Sequence, residues 1–192
     1  MNKKTGALLL AAGFSNRFGS AKLLAHLDNG EPVIQQTLNR IVEVVEEVVV
    51  ITRPDLAEAL MPFAPNVQEF AEAERGMGAS LAFGVGFAAD WEACLICLAD
   101  MPFISIDTYQ KIADSAAANR IIIPTFNGKP GNPVAFGHDF YGDLRRLSGD
   151  AGGKPVIKQH MDQTQELSVQ DPAILADIDT PLDLQKLQTS FA

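Results

Sequence analysis

Two basic side chains in a glycine-containing loop near the amino end are well suited to bind an anion. The segment AAGFSNRFGSAK, residues 11–22, follows an apolar run and contains Gly13, Arg17, Gly19 and Lys22. Glycine tolerates positive φ, so successive backbone N–H groups can converge on one anion, and the two side chains add mobile positive charge. The loop therefore predicts a phosphate-binding site. The alternative is a surface turn that carries two solvated cations.

The spacing of this loop excludes two common phosphate-binding motifs. A dinucleotide fingerprint requires G-x-G-x-x-G, but Ser15 stands where the second glycine is needed. A P-loop requires G-x-x-x-x-G-K-S/T, whereas Gly19 lies six residues after Gly13 and Lys22 three residues after Gly19. A nicotinamide-dependent oxidoreductase would therefore rest on fold analogy alone.

Three aspartates lie where the sequence predicts strand ends. Asp100 closes the apolar run ACLICLAD, and Asp177 and Asp179 lie in ADIDTP. Each one alone has a simpler explanation as a turn former or a helix cap. Together with the basic loop they provide what nucleotidyl transfer requires, because Mg²⁺ prefers oxygen ligands and completes its coordination with substrate phosphates and water.

The cysteines and histidines do not indicate a redox or zinc site. Cys94 and Cys97 form a C-x-x-C pattern inside a buried run, and the sequence has no second cysteine pair. Residues three apart on a strand point to opposite faces, so we expect two inert thiols. His26, His138 and His160 lack the i, i+4 spacing of a helical zinc site.

The elements that must position these residues alternate between strands and helices. Apolar runs predict strands at residues 6–12, VVVIT, VQEF, ACLICLAD, RIIIPTF and PVAFG, with a late strand near LSVQ. Helices are predicted between them, one within HDFYGDLRRLSGD, and Thr180, Pro181 and Asp183 fit the N-cap, N1 and N3 positions of a closing helix. We therefore expect one three-layer α/β domain over residues 1–192 with a mostly parallel sheet. Ligands of such sheets bind beyond the carboxyl ends of the strands.

The composition excludes two kinds of partner. The formal net charge of −9 argues against a nucleic-acid surface, since phosphate backbones are bound by neutralising them with Lys and Arg. No apolar run reaches the roughly 18 residues that a membrane span needs, so we expect no membrane association and a cytoplasmic protein.

Six segments in chain order resemble one family of enzymes. LLLAAGFSNRFGSAK matches the L-A-A-G-x-S-x-R-x-G-x-x-K signature of the nucleotidyltransferases related to molybdenum cofactor guanylyl- and cytidylyltransferases. GMGASL, LADMP, GNPVAFG, SGDAGGKPVI and DIDTPLDL continue the match, and the cytidylyl branch is the more similar. The resemblance implies a Rossmann-like fold that transfers CMP from CTP to the phosphate of molybdopterin, with Mg²⁺ as cofactor and release of pyrophosphate. It is also compatible with a molybdoenzyme client as partner.

The same resemblance assigns roles to single residues. The nucleotide and its phosphates would lie against Ala11, Ala12, Gly13, Arg17 and Lys22, of which Arg17 and Lys22 are also catalytic. Asp100 would be a catalytic metal ligand and Asp179 the second ligand, ahead of Asp177. The base and ribose would lie beside Gly76, Gly78 and Ser80.

Three positions bear on the choice of substrates. The guanylyl branch favours a second glycine where this chain has Ala12, and a methyl group there leaves less room beside a purine. On the acceptor side, Asn132 and Lys154 stand where the cytidylyl branch often has histidine and arginine, and lysine lacks the bidentate fork of arginine. The alternatives are GTP or another nucleotide, a sugar-phosphate acceptor, or a non-enzymatic carrier of the pterin cofactor.

Overall fold

The centre of the protein is an eight-stranded sheet, seen in a computed structural model that describes residues 4–15 and 17–191. The strands are β1 Thr5–Leu10, β2 Val48–Thr52, β3 Val67–Glu69, β4 Ala93–Leu98, β5 Ile121–Phe126, β6 Lys129–Pro130, β7 Val134–Gly137 and β8 Thr164–Ser168. The α-helices are α1 Val33–Val42, α2 Pro54–Leu60, α3 Met77–Gly84, α4 Ile106–Ser115, α5 Tyr141–Leu144, α6 Lys154–Gln159 and α7 Pro181–Phe191.

The sheet is mostly parallel, as the sequence predicts. Its order is β3-β2-β1-β4-β7-β5-β6, and β8 pairs with β5. The strands β6 and β7 run antiparallel to their neighbours, and the remaining pairs are parallel. Because Leu10 of β1 lies opposite Leu98 of β4, these two central strands end side by side. The segments that follow them therefore begin at the same edge of the sheet.

Alternating side chains of the central strands build two cores, one on each face of the sheet. On one face, Leu9 and Leu95 pack with apolar residues of α1, α2 and α4. On the other, Leu8 and Ile96 pack with residues of α3, α5 and α6. Strands buried on both faces explain the continuous apolar runs in the sequence, and the result is the expected three-layer α/β fold.

The two cysteines lie on opposite faces, as their spacing predicts. Cys94 belongs to the core with α3, and Cys97 to the core with α1. Both thiols are free and fully buried, and burial raises the pKa of each. Both cysteines therefore pack in the core as neutral thiols.

Three elements differ from the sequence prediction. The late strand is Thr164–Ser168, which overlaps the predicted LSVQ segment at Leu167 and Ser168 but begins three residues before it, because its partly exposed polar residues leave no apolar run to mark its start. Helix α6 was not predicted because Val156 is its one buried residue. Within HDFYGDLRRLSGD, the helix is limited to a 3₁₀ turn and the four residues of α5.

The closing helix begins as its sequence predicts. The Thr180 amide donates to Asp183 Oδ2 at 2.8 Å, and the Asp183 amide donates to Thr180 Oγ1 at 3.2 Å. This reciprocal pair is a capping box with aspartate at N3. Within the described ranges, no helix combines the length and apolar character needed to cross a bilayer.

Candidate active site

The first loop leaves the sheet at the end of β1 and is tied to β2. The Ala11 amide donates to the Ile51 carbonyl at 2.8 Å, and Thr52 Oγ1 donates to the Ala11 carbonyl at 3.3 Å. Ala11 and Ala12 are buried, whereas Gly13 is exposed. Gly19 has a φ of 80°, which the predicted turn requires. The backbone then returns inward at Lys22.

Lys22 is not the mobile surface cation that the sequence indicates. The residue is only 8% exposed. Its ammonium Nζ donates to Asp100 Oδ2 at 2.6 Å and to the Ile178 carbonyl at 2.8 Å, and it lies 3.6 Å from Asp179 Oδ1. Its apolar stem is buried, so the charge is held at one place. Lys22 therefore links the first loop to both carboxylate segments.

The three predicted aspartates form one cluster. The Ile178 amide donates to the Asp100 carbonyl at 3.0 Å, which brings the segment before α7 to the end of β4. One carboxylate oxygen each from Asp100, Asp177 and Asp179 lie within 4.8 Å of one another. Two oxygens on one Mg²⁺ are at most about 4.2 Å apart, given Mg–O distances near 2.1 Å. Small side-chain movements would therefore let this oxygen donor set hold a divalent cation.

The cluster concentrates negative charge and is partly neutralised by the first loop. Arg17 Nη1 lies 2.8 Å from Asp179 Oδ2, and the Arg17 side chain is 72% exposed. Burial raises the pKa of the Asp100 carboxyl, while Lys22 opposes this rise and Asp177 adds to it. A carboxylate held in such surroundings is typical of a functional site.

Helix capping does not account for the three aspartates, because other side chains cap the two neighbouring helices. Asp183 caps α7, so Asp177 and Asp179 are not needed there. The side chain of Ser105 caps α4 by accepting from the Thr108 amide. Nothing in these local turns accounts for the convergence of the three carboxylates.

A cleft of about 450 Å³ opens over this cluster at the carboxyl edge of the sheet. Predicted site residues line it on both sides: Ala11, Ala12, Gly13, Arg17, Lys22, Gly76, Ser80, Asp100, Asp177 and Asp179. Three predicted residues do not line it. Gly78 is buried behind the cleft wall, Lys154 is exposed at the start of α6, and Asn132 precedes a cis-proline, with its amide bonded to the Ile174 carbonyl.

The glycines of GMGASL allow another segment to approach closely. The Gly78 amide donates to the Gly149 carbonyl at 2.7 Å, and the Gly149 amide donates to the Arg75 carbonyl at 3.0 Å. A Cβ on Gly76 would lie 2.4 Å from Asp150 Oδ1, and one on Gly78 would lie 2.9 Å from the Gly149 carbonyl oxygen. This close packing brings Asp150 to the cleft.

Sequence analysis missed Asp150 and the cleft residues Phe14 and Met77. Asp150 lies in SGDAGGKPVI, where the resemblance directed attention to Lys154 instead. Gly149 directly before Asp150, Gly152 two residues after it and the positive φ of both glycines are the signals of a turn that presents a side chain. Phe14 and Met77 carried no signal, because single apolar residues beside glycine are common in loops.

Adjacent parallel strands deliver a basic glycine loop and Asp100 to one cleft, and the segment before α7 adds two more carboxylates. This arrangement is typical of the nucleotidyltransferases. Residues 7–164 match the MobA-like NTP transferase domain, and the chain belongs to that family.

Relatives and solved structures agree with this membership. A probable molybdenum cofactor guanylyltransferase of Bacillus cereus is 29% identical over 132 residues, which are 66% of this chain and 64% of the relative. The chain thus spans less than two thirds of the length of this curated relative. Rv0371c of Mycobacterium tuberculosis has a TM-score of 0.86 at 25% identity, covering 98% of this chain and 99% of that one. Mth528, a nucleotidyl transferase from Methanothermobacter thermautotroptrophicus, has a TM-score of 0.84 at 25% identity, covering 99% and 98%.

Proposed function

We propose that this protein transfers CMP from CTP to the phosphate of a molybdopterin-type cofactor and releases pyrophosphate. The observation that carries the proposal is the cluster of Asp100, Asp177 and Asp179, which lies in one cleft in direct contact with Arg17 and Lys22. An oxygen of the acceptor phosphate attacks the α-phosphorus of CTP. The bond from that phosphorus to the pyrophosphate oxygen breaks, and pyrophosphate leaves.

The protein contributes positioning and charge. The attacking phosphate is already anionic, so a strong general base is not required, and rate enhancement comes from alignment and charge stabilisation. Arg17 and Lys22 bind the triphosphate and the departing pyrophosphate. Asp100 and Asp179 would hold Mg²⁺, with Asp177 as a further oxygen donor. An ion held there would supply charge neutralisation to the reacting phosphates.

CTP is the proposed donor because of Ala12. Ala12 is 7% exposed and lines the cleft, at the position where the guanylyl branch favours glycine. A methyl group there reduces the space beside the base, which favours a pyrimidine over a purine. GTP is the second candidate, because curated relatives carry the name molybdenum cofactor guanylyltransferase.

A substrate panel tests the proposal. Purified protein is incubated with each of the four ribonucleoside triphosphates, Mg²⁺ and isolated molybdopterin cofactor, and pyrophosphate and nucleotidylated product are measured. We expect CTP with molybdopterin to give the highest kcat/KM. A higher kcat/KM with GTP would reject the cytidylyl assignment. Turnover with a sugar phosphate but not with molybdopterin would reject molybdopterin as the acceptor.

The Asp100→Asn variant provides the control for this panel. It retains the size of the side chain but removes one negative charge from the proposed metal site. Pyrophosphate formation that survives this substitution would point to a contaminating enzyme. A protein that binds the pterin cofactor but forms no pyrophosphate with any nucleotide would be a carrier.

A further inference from the structure

Arg53 lies directly after β2 and contacts the outer side of the first loop. Its Nη1 donates to the Gly13 carbonyl at 2.9 Å. The guanidinium carbon lies 4.4 Å from the centre of the Phe14 ring, within the range of a cation–π contact. Arg53 thus touches two consecutive residues that line the cleft.

The orientation of Arg53 is itself fixed. Its Nε and Nη2 donate to the two oxygens of Asp55 at 3.0 and 2.9 Å. The Arg53 side chain is only 13% exposed, although Asp55 is largely exposed. The same contact lowers the pKa of Asp55. Two nitrogens of the guanidinium therefore donate to Asp55, and the third donates to the Gly13 carbonyl of the loop.

The exposed part of the first loop, in the described residues 13–15 and 17–20, makes few other hydrogen bonds or ion pairs. Among the described residues 13–15 and 17–20, the remaining hydrogen bonds are internal, from the Phe18 and Gly19 amides to the Ser15 carbonyl. Arg17 adds its ion pair with Asp179. The backbone also carries conformational strain here, since Ser15 has a φ of 52°.

We propose that Arg53 is a positioning residue that orders residues 13–15 before the donor nucleotide binds. This inference rests on the proposed function, because it assumes that the nucleotide lies against the loop. Arginine is required because lysine cannot bind both Asp55 oxygens and the Gly13 carbonyl while stacking on Phe14. Without the contacts of Arg53, the donor nucleotide would bind more weakly, because ordering the loop would offset part of its binding free energy.

The test compares Arg53→Lys and Arg53→Gln with the parent by calorimetric titration with CTP and GTP and by steady-state kinetics. We expect both variants to raise the Kd and KM of the donor nucleotide about tenfold or more, as for loss of a charge-assisted hydrogen bond. We expect kcat to stay within about threefold of the parent, because the bound nucleotide restores the loop and Lys22 and Asp100 are unchanged.

Limited trypsin digestion reports on the loop without any substrate. Trypsin cuts after the exposed Arg17, whereas the Arg53–Pro54 bond resists it, so removing Arg53 deletes no cleavage site. We expect cleavage after Arg17 to be about tenfold faster in both variants, and saturating nucleotide to suppress it. Arg75→Gln is the matched control, since this exposed arginine pairs with Glu72 and should leave both measurements unchanged.

The outcomes separate the positioning role from the proposed function. Parental nucleotide affinity in Arg53→Lys would overturn the positioning role, since retained charge would then be sufficient. Parental loop cleavage in both variants would also overturn it. A parent protein that binds none of the nucleotides would instead reject the proposed function, and would do so whatever the loop cleavage shows.

Discussion

Replacing Lys22 with methionine should strengthen divalent cation binding in the free protein. Methionine retains most of the buried stem but removes the ammonium that lies 2.6 Å from Asp100 Oδ2 and 3.6 Å from Asp179 Oδ1. In the parent, this ammonium competes with a metal ion for the same oxygens. The substitution leaves the carboxylates with one fewer neutralising charge.

The magnitude follows from Coulomb's law. A unit charge and a divalent cation about 4 Å apart repel by about 2 kcal/mol even at the dielectric constant of water. Because the cleft is open to solvent, we use this value for water rather than a larger value for the protein interior. It corresponds to about 30-fold tighter binding of the divalent cation. The same substitution removes a ligand of the triphosphate, so we expect kcat/KM for nucleotidyl transfer to fall by about 100-fold or more.

Mn²⁺ titration followed by electron paramagnetic resonance measures the first effect on nucleotide-free protein. Thermal denaturation gives a second readout, because tighter binding means that Mn²⁺ raises the Tm of Lys22→Met more than that of the parent. Lys154→Met serves as the control outside the cleft. Arg17→Met should have a smaller effect, since that side chain is 72% exposed. Unchanged or weaker Mn²⁺ binding in Lys22→Met would refute both the competition and the location of the metal site.

Four further substitutions test the site and the fold. Asp100→Asn should abolish nearly all pyrophosphate release, yet its melting temperature without metal should stay close to that of the parent, because relief of the buried carboxylate charge is offset by loss of its ion pair with Lys22. Gly76→Ala should destabilise the protein severely in urea, since Gly76 has a φ of 98° and the new Cβ would lie 2.5 Å from the Gly149 carbonyl carbon. Gly19→Ala, where a new Cβ would meet no non-adjacent atom of the described residues within 4 Å, should cost only about 1–2 kcal/mol of backbone strain. Asp183→Ala should lower the urea midpoint at pH 7, and this difference should shrink as the pH falls through the lowered pKa of Asp183.

Much of the fold follows from local sequence patterns. The apolar runs of β1, β2 and β4 predict strands buried on both faces, and the Thr180–Asp183 pair predicts the start of α7. Each of these signals depends on neighbouring residues alone. Where burial is slight, the local signal is weak, so the predicted late strand covers only the end of β8 and α6 is not predicted.

The sequence also predicts most residues that line the cleft. Parallel strands have their carboxyl ends at one edge of the sheet, so a loop after β1 and an aspartate after β4 must lie close together. That inference needs only the order of the elements. It does not require knowledge of any side-chain contact.

Only the tertiary structure decides how these side chains are partnered. Lys22 lies 78 residues from Asp100 and 156 from Ile178 in the sequence, and its burial depends on both. Arg53 reaches Gly13 across 40 residues. Local composition describes an exposed basic residue in each case, because it contains no information about which distant groups will surround the side chain. That information arises only when packed strands and helices fix the positions of segments that are far apart along the chain.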